Sequence, residues 1–166
     1  MQILSRLLRH LTTTAASGRR AFPVVTLTAI EEVIQQGERV HRAEIKLIIE
    51  AALSPIDVIF KLSARGRAQE LFNHYRVWDT EGNCGVLIYI NLADHKVEII
   101  ADRAVGRALK QSEWHDICDL MTVGFRRGVF HDSMIEALSE LNHQLQVHYP
   151  DKGEQNNQLP DTPVVL

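Results

Sequence analysis

The chain has 166 residues, the length of a single domain, and 45% of them are hydrophobic, as in ordinary soluble globular proteins. Its net charge of −3 gives no electrostatic reason to expect nucleic acid as a partner. The two cysteines, Cys84 and Cys118, form no CxxC pair, which argues against a zinc knuckle or a redox pair. No stretch approaches the ~20 consecutive apolar residues of a membrane-spanning helix.

The N-terminal segment contains no Asp or Glu before Glu31. Its opening, MQILSRLLRHL, is too interrupted by Arg6, Arg9 and His10 to be a secretory signal. Its apolar residues recur at helical spacing, with the basic groups opposite. Two interpretations stay open: a short helix packed on its own domain, or a helix on an anionic membrane surface or in a transit peptide. The apolar residues are Ile3, Leu4, Leu7, Leu8 and Leu11.

The next predicted elements alternate between helix and strand. A Thr28-x-x-Glu31 capping box predicts the start of a helix. The following AEIKLIIEAAL alternates apolar and polar residues, as a half-buried strand does, and Ser54-Pro55 ends it. The next apolar stripe at helical spacing follows Ser63, a residue type that favours the N-cap position.

The second half of the chain predicts a hairpin and two helices. GVLIYINL is almost wholly apolar, which is typical of a central strand, and VEIIAD returns beside it after a short turn. One helix is predicted from Ser112 to Gly128, and a second from the capping box Ser133-x-x-Glu136. From Asp151 the chain is polar and broken by prolines, so the tail is expected to be disordered.

The order of these elements predicts the topology of a small sheet. A strand, a helix and a second strand form a right-handed parallel crossover. The hairpin then adds an antiparallel strand, and helices cover the sheet. The prediction is an α/β fold, a three-layer α/β/α sandwich with a small mixed β-sheet flanked by helices.

Polar residues gather at one edge of this predicted sheet, because two parallel strands start there and the third strand ends there. Crowded carboxylates repel one another unless a cation or an arginine neutralises them, and their hard oxygens suit calcium or magnesium. The residues placed at this edge are Glu38, His41, Glu44, Asp79, Glu81, Asn83, Asp102 and Arg103. The alternative is a solvated rim with no binding role. No phosphate loop, GxSxG or HExxH motif is present, so any hydrolysis would be metal-assisted.

The stretch RVWDTEGNCGVLIYINLADHKVEIIADR resembles the TPM domain family, named partly from a thylakoid-lumen phosphatase-like protein. GERVHRAEIKLIIEAAL and ICDLMTVGFRRGVF are similar to its stand-alone bacterial branch. The resemblance covers residues 22–150, between a basic amphipathic segment, 1–21, and the tail, 151–166, and it implies an α/β/α sandwich. Asn83 and Cys84 stand where the family usually has Asp-Asn, which removes one negative oxygen.

Two functional hypotheses follow, one motivated by the shared sheet edge and the other by the basic, acid-free N-terminus. The resemblance implies that some members of the family are phosphatases, several bind divalent cations and others are regulatory modules. The first is a metal-dependent phosphatase-like hydrolase, in which Asp79, Glu81 and Asp102 hold calcium or magnesium. Arg103 would then bind a phosphate oxygen, and the other residues of the edge would complete the shell or act as base. The second is a non-catalytic binding module with a protein or membrane-surface partner. Many relatives carry a signal peptide and a membrane anchor; this sequence shows neither, so we expect a cytoplasmic protein.

Overall fold

The computed structural model describes residues 2–151, 153 and 157–166, with nothing described of the Gln2 side chain. In this part of the chain, no helix is both long enough and apolar enough to cross a membrane. The helices are α1 (Gln2–Thr12), α2 (Ala15–Ala21), α3 (Val24–Glu38), α4 (Pro55–Ile59), α5 (Ala64–His74), α6 (Arg103–Gly106), α7 (Gln111–Arg126) and α8 (Phe130–His148). The strands are β1 (Glu44–Glu50), β2 (Gly85–Asn91), β3 (Lys96–Ala101) and β4 (Val164–Val165).

These strands form one mixed sheet in the order β3-β2-β1-β4. Strands β1 and β2 run parallel, with Glu44 opposite Gly85, and β3 runs antiparallel to β2, with Val86 opposite Ala101. The predicted parallel pairing of the first two strands and the predicted hairpin are therefore confirmed. The starts of β1 and β2 and the end of β3 lie at the same end of the sheet.

Helices cover both faces of the sheet, which confirms the three-layer sandwich. On one face Ile45, Leu47 and Ile49 of β1 pack into the core formed with α3, α7 and α8. On the other face Ile48 packs with Tyr89 of β2 and with residues of α5. Burial of these apolar side chains on two faces supplies the main free energy that holds the layers together.

The polar residues of β1 are buried together with its apolar ones, although the alternating pattern indicates a half-exposed strand. Glu50 accepts hydrogen bonds from Arg67 Nη2 at 2.8 Å and from the Tyr89 hydroxyl at 2.5 Å. Lys46 and Glu44 are likewise covered, by the C-terminal segment. A buried charged group without partners would cost several kcal/mol, so each one is paired.

The expectation of a disordered tail over 151–166 is wrong for residues 157–166. Strand β4 pairs parallel with β1, with Val164 opposite Ile48. Residues 152 and 154–156 of the predicted tail lie outside the described residues. The composition of the segment does not reveal its order, because strand pairing and backbone hydrogen bonds hold it in place.

Lys46 and Glu44 of β1 hold the polar C-terminal segment in place through hydrogen bonds to its backbone. Lys46 Nζ donates to the carbonyl oxygens of Pro160 at 2.7 Å and Thr162 at 3.0 Å. Glu44 Oε2 accepts from the backbone amide of Leu159 at 3.0 Å. The charged residues of β1 and the backbone of the tail therefore satisfy each other.

Helix starts were predicted with mixed success. Ser63 is confirmed as an N-cap, since its hydroxyl accepts from the Gly66 amide at 3.0 Å. The two predicted capping boxes are wrong: Thr28 lies inside α3, which begins after Pro23, and Ser133 lies inside α8. The Ser133 hydroxyl instead donates to a backbone carbonyl of the preceding turn. The same spacing of Ser or Thr before Glu also occurs within helices, so the pattern alone misplaces the boundary.

Candidate cation site at one end of the sheet

The structure brings the predicted segments to one end of the sheet, marked by Glu44, Gly85 and Ala101, which we call the acidic end. The eight predicted residues divide there into two groups. The turn group comprises Asp79, Glu81, Asn83, Asp102 and Arg103, and the cleft group comprises Glu38, His41 and Glu44.

In the turn group, Asp79 and Glu81 have exposed side chains in the turn before β2. The Glu81 amide donates to the Gln158 side-chain oxygen at 2.6 Å, which ties this turn to the tail. Asn83 has a φ of 54°, a left-handed conformation that asparagine tolerates better than most residues. These contacts give the turn its shape through backbone groups and leave both carboxylates in solvent.

Asp102 and Arg103 belong to the start of α6. Asp102 is the N-cap, and its Oδ1 accepts from the Arg103 amide at 2.6 Å. Its Oδ2 is buried and has no hydrogen-bond partner within residues 2–151, 153 and 157–166. The Arg103 side chain is exposed. The observed role of Asp102 is therefore to cap a short helix through Oδ1, while Oδ2 makes no hydrogen bond to the described residues.

Two residues of the cleft group line a cavity of about 390 Å³, which we call the acidic cleft. It opens between the end of α3, the start of β1 and the tail. Glu38 and Glu44 both line it, while His41 does not. Its lining residues are Gln35, Glu38, Arg39, Glu44, Asp151, Asn157 and Asp161.

Glu38 is the most perturbed acid of this cleft. Its Oε1 accepts from the Ile45 amide at 2.8 Å, which joins the end of α3 to the start of β1. Burial is the largest influence and raises its pKa to about 9, against the Ile45 hydrogen bond, and Glu44 and Asp161 raise it further. Its Oε2 is buried and receives no donor from the described residues. Glu38 is therefore protonated at neutral pH when nothing else neutralises it.

Glu44, Asp151 and Asp161 are the other acids that line the cleft. Glu44 Oε2 accepts from the amides of Gln158 at 3.1 Å and Leu159 at 3.0 Å. Burial raises the pKa of Glu44, these amides lower it, and the charge of Asp161 raises it again. Sequence reasoning missed Asp161, because it lies in the segment assigned to disorder. The polar face of β1 could have indicated its presence, because charged residues on a buried strand need polar partners from another segment.

His41 is buried and lies apart from the cleft. Its Nε2 is 3.0 Å from Asn142 Oδ1, and the Asn142 side-chain amide donates to the Val33 carbonyl at 2.9 Å. Burial lowers the pKa of His41, against the Asn142 contact, so the ring is neutral at pH 7. Asn142 also packs on Gly37 so closely that a Cβ there would collide with it. The histidine thus helps to join α3 to α8.

These acids do not form a ready coordination shell. Among the residues that the structure describes, no group of three or more His, Cys, Asp or Glu side chains is arranged to hold a metal ion. In the acidic cleft the carboxylates repel one another, and Glu38 keeps its proton at neutral pH. The turn group is likewise not gathered into such a shell.

Comparisons with known proteins agree with this architecture. A family model described as TPM domain matches residues 21–144. The NMR structure of BA42 protein from the psychrophilic bacterium Bizionia argentinensis is similar, with a TM-score of 0.76 and 20% sequence identity. The similarity covers 87% of this chain and 95% of that chain, and at this identity it shows the fold alone. No curated protein matches the chain.

Proposed function

The chain belongs to the TPM domain family, and from this premise we propose that it binds a divalent cation, calcium or magnesium, in the acidic cleft. The observation that carries the proposal is Glu38, whose buried carboxyl has a pKa of about 9 and an oxygen without a donor in the described structure. A cation replacing that proton would remove the repulsion between Glu38, Glu44 and Asp161. Carboxylate oxygens are the ligands that calcium and magnesium prefer.

The residues of the cleft fit such an ion in chemistry, although their side chains are not yet arranged around it. Glu44 uses Oε2 for the backbone of the tail, which leaves Oε1 for a cation. Calcium tolerates irregular shells completed by water and backbone carbonyls. Asp161 lies between the two carbonyls that Lys46 holds, so a bound cation would further fasten the tail to β1.

The test is unfolding of metal-free protein with and without calcium or magnesium, together with titration calorimetry. A ligand at about 100 times its dissociation constant stabilises the folded state by about 2.7 kcal/mol, which raises the melting temperature visibly. We expect this gain to be lost in Asp161→Asn and retained in the double variant Asp79→Asn/Asp102→Asn. Binding should also release protons, because Glu38 must ionise.

The matched control is Asp119→Asn, which removes an exposed carboxylate of α7 and should bind like the wild type. Full binding by Asp161→Asn and Glu38→Gln would contradict the cleft as the site. Loss of binding in the Asp79→Asn/Asp102→Asn variant alone would place the cation in the turn group, as first expected from the sequence.

Metal-assisted phosphate hydrolysis is the second candidate. The observation that favours it is Arg39, which lines the same cleft. A guanidinium group binds phosphate oxygens well. Arg103, expected from the sequence to do so, is exposed on α6. A bound cation would supply a Lewis acid and a more acidic water. Hydrolysis of a simple phosphate monoester should depend on the cation and fall in Arg39→Ala; activity independent of both would contradict this candidate.

The other function expected from the sequence, a binding module at a membrane surface, does not involve this cleft. It depends on the N-terminal helix, at the opposite end of the sheet. Cation binding and membrane binding are therefore compatible, and the test of one can be negative while the test of the other is positive.

A further inference from the structure

Helix α1 is attached to the domain through its polar face. Arg6 donates to Asp94, with Nη2 2.6 Å from Oδ2, and to the Leu62 carbonyl at 2.7 Å. The His10 ring is buried, its Nδ1 accepts from the Leu53 amide at 2.9 Å, and its Nε2 is 3.0 Å from Asp94 Oδ1. Because Nδ1 accepts from the Leu53 amide, Nε2 is the ring nitrogen on the side of Asp94. This is the reverse of an ordinary surface helix, which turns its apolar face inward.

The apolar face of α1 consequently points to solvent. Helix α4, which packs against α1, and the residue that follows it expose large apolar side chains as well. We call these six side chains the exposed apolar face, and their exposed fractions lie between 57% and 80%. They are Leu4, Leu8, Leu11, Ile56, Ile59 and Phe60. Large apolar surfaces of this kind on a soluble domain mark sites of interaction.

The charges around this face are predominantly positive. It lies at the end of the sheet marked by Glu50, Asn91 and Lys96, which we call the basic end. The chain has no carboxylate before Glu31, and Asp57 of α4 accepts a hydrogen bond from Ser54 Oγ at 2.7 Å. The side chains of Arg9 and Lys61 are exposed, as are those of Arg19 and Arg20 on α2, and Arg9 also lies 3.7 Å from Asp94.

We propose that the exposed apolar face docks on an anionic lipid bilayer, with α1 and α4 lying in the plane of the interface. The leucines, isoleucines and Phe60 would enter the boundary of the acyl chains, and the flanking cations would lie against lipid phosphates. Charge complementarity favours a bilayer over a second copy of the chain. Two copies joined through this face would bring their cations together, which is unfavourable.

The first experiment is flotation of the full chain with vesicles of phosphatidylcholine alone, and with vesicles in which phosphatidylglycerol replaces part of it. We expect binding to the anionic vesicles, weaker binding to the neutral ones, and a loss of binding as salt rises. Failure to float with anionic vesicles would overturn the proposal.

The double variant Leu4→Ser/Leu8→Ser tests the face itself. The substitutions remove two apolar side chains that would be buried in the bilayer, so the partition coefficient should fall at least about tenfold. Since both side chains are exposed, its melting temperature should match the wild type. Val147→Ser removes an equally exposed apolar residue from α8 and should bind normally.

Three further outcomes are decisive. Arg19→Gln/Arg20→Gln should weaken binding to anionic vesicles and reduce its salt dependence, which supports the role of the cations. Vesicle binding by Leu4→Ser/Leu8→Ser equal to that of Val147→Ser would overturn the proposal. A dimer in sedimentation that this leucine variant dissociates, without vesicle binding by the wild type, would assign the face to a second copy of the chain.

Discussion

Glu38 shows how a single residue couples the fold to pH. Its pKa is raised from the ordinary value of 4.5 to about 9, so the folded chain binds a proton that the unfolded chain has lost between these pH values. The contribution of Glu38 to the free energy of unfolding is therefore highest below pH 4.5, and it decreases as the pH rises toward 9. A divalent cation would remove this penalty by replacing the proton.

The variant Glu38→Gln tests this linkage. The amide keeps an oxygen for the Ile45 amide and needs no proton, so stability without cations should vary less with pH. The slope removed is up to about 1.4 kcal/mol per pH unit. Urea denaturation of both proteins at several pH values between 5 and 9 measures it. An unchanged pH dependence would mean that Glu38 ionises normally in the folded protein.

At the scale of residues, sequence reasoning found part of the cleft. Glu38 and Glu44 were placed at the right end of the sheet because topology alone fixes where strands start. Asp161 was missed and His41 was given a role near the cation. Their positions depend on partners more than 100 residues away, such as Asn142, and no local pattern encodes such contacts.

At the scale of elements, the strand β4 and the segment before it complete the sheet. Deleting residues 157–166 should lower the free energy of unfolding by about 2–4 kcal/mol, because Leu159 loses its burial and Lys46 and Glu44 lose their partners. The deletion also exposes the edge of β1, so aggregation should increase. Chemical denaturation and light scattering measure both effects.

The control for this deletion is Val165→Ser, a change at a partly exposed position of β4 that should cost less than about 0.5 kcal/mol. A deletion variant as stable as the wild type would show that the tail is not part of the folded unit. The strands and the helix starting after Ser63 were predictable from hydrophobic periodicity and capping. The tail was not, because strand pairing, backbone hydrogen bonds and the burial of Leu159 hold it, and its polar composition does not reveal these contacts.

At the scale of the whole molecule, the two ends of the sheet have opposite character. Acids gather where β1 starts, whereas cations and exposed apolar residues lie where β1 ends. Since separate residues form the two ends, their binding functions should be independent. We expect Leu4→Ser/Leu8→Ser to bind calcium or magnesium with wild-type affinity, and Asp161→Asn to float normally with anionic vesicles. A change of more than about tenfold in either cross-measurement would reveal coupling between the ends.

The length of β1 sets the distance between these ends. Seven residues of strand span about 23 Å, which is more than twice the Debye length of about 8 Å at physiological ionic strength. If the basic end rests on a bilayer, the acidic cleft stands beyond the layer in which lipid charges concentrate cations. The cleft would therefore sense the bulk concentration of calcium or magnesium in the surrounding solution, undistorted by the membrane that carries the protein.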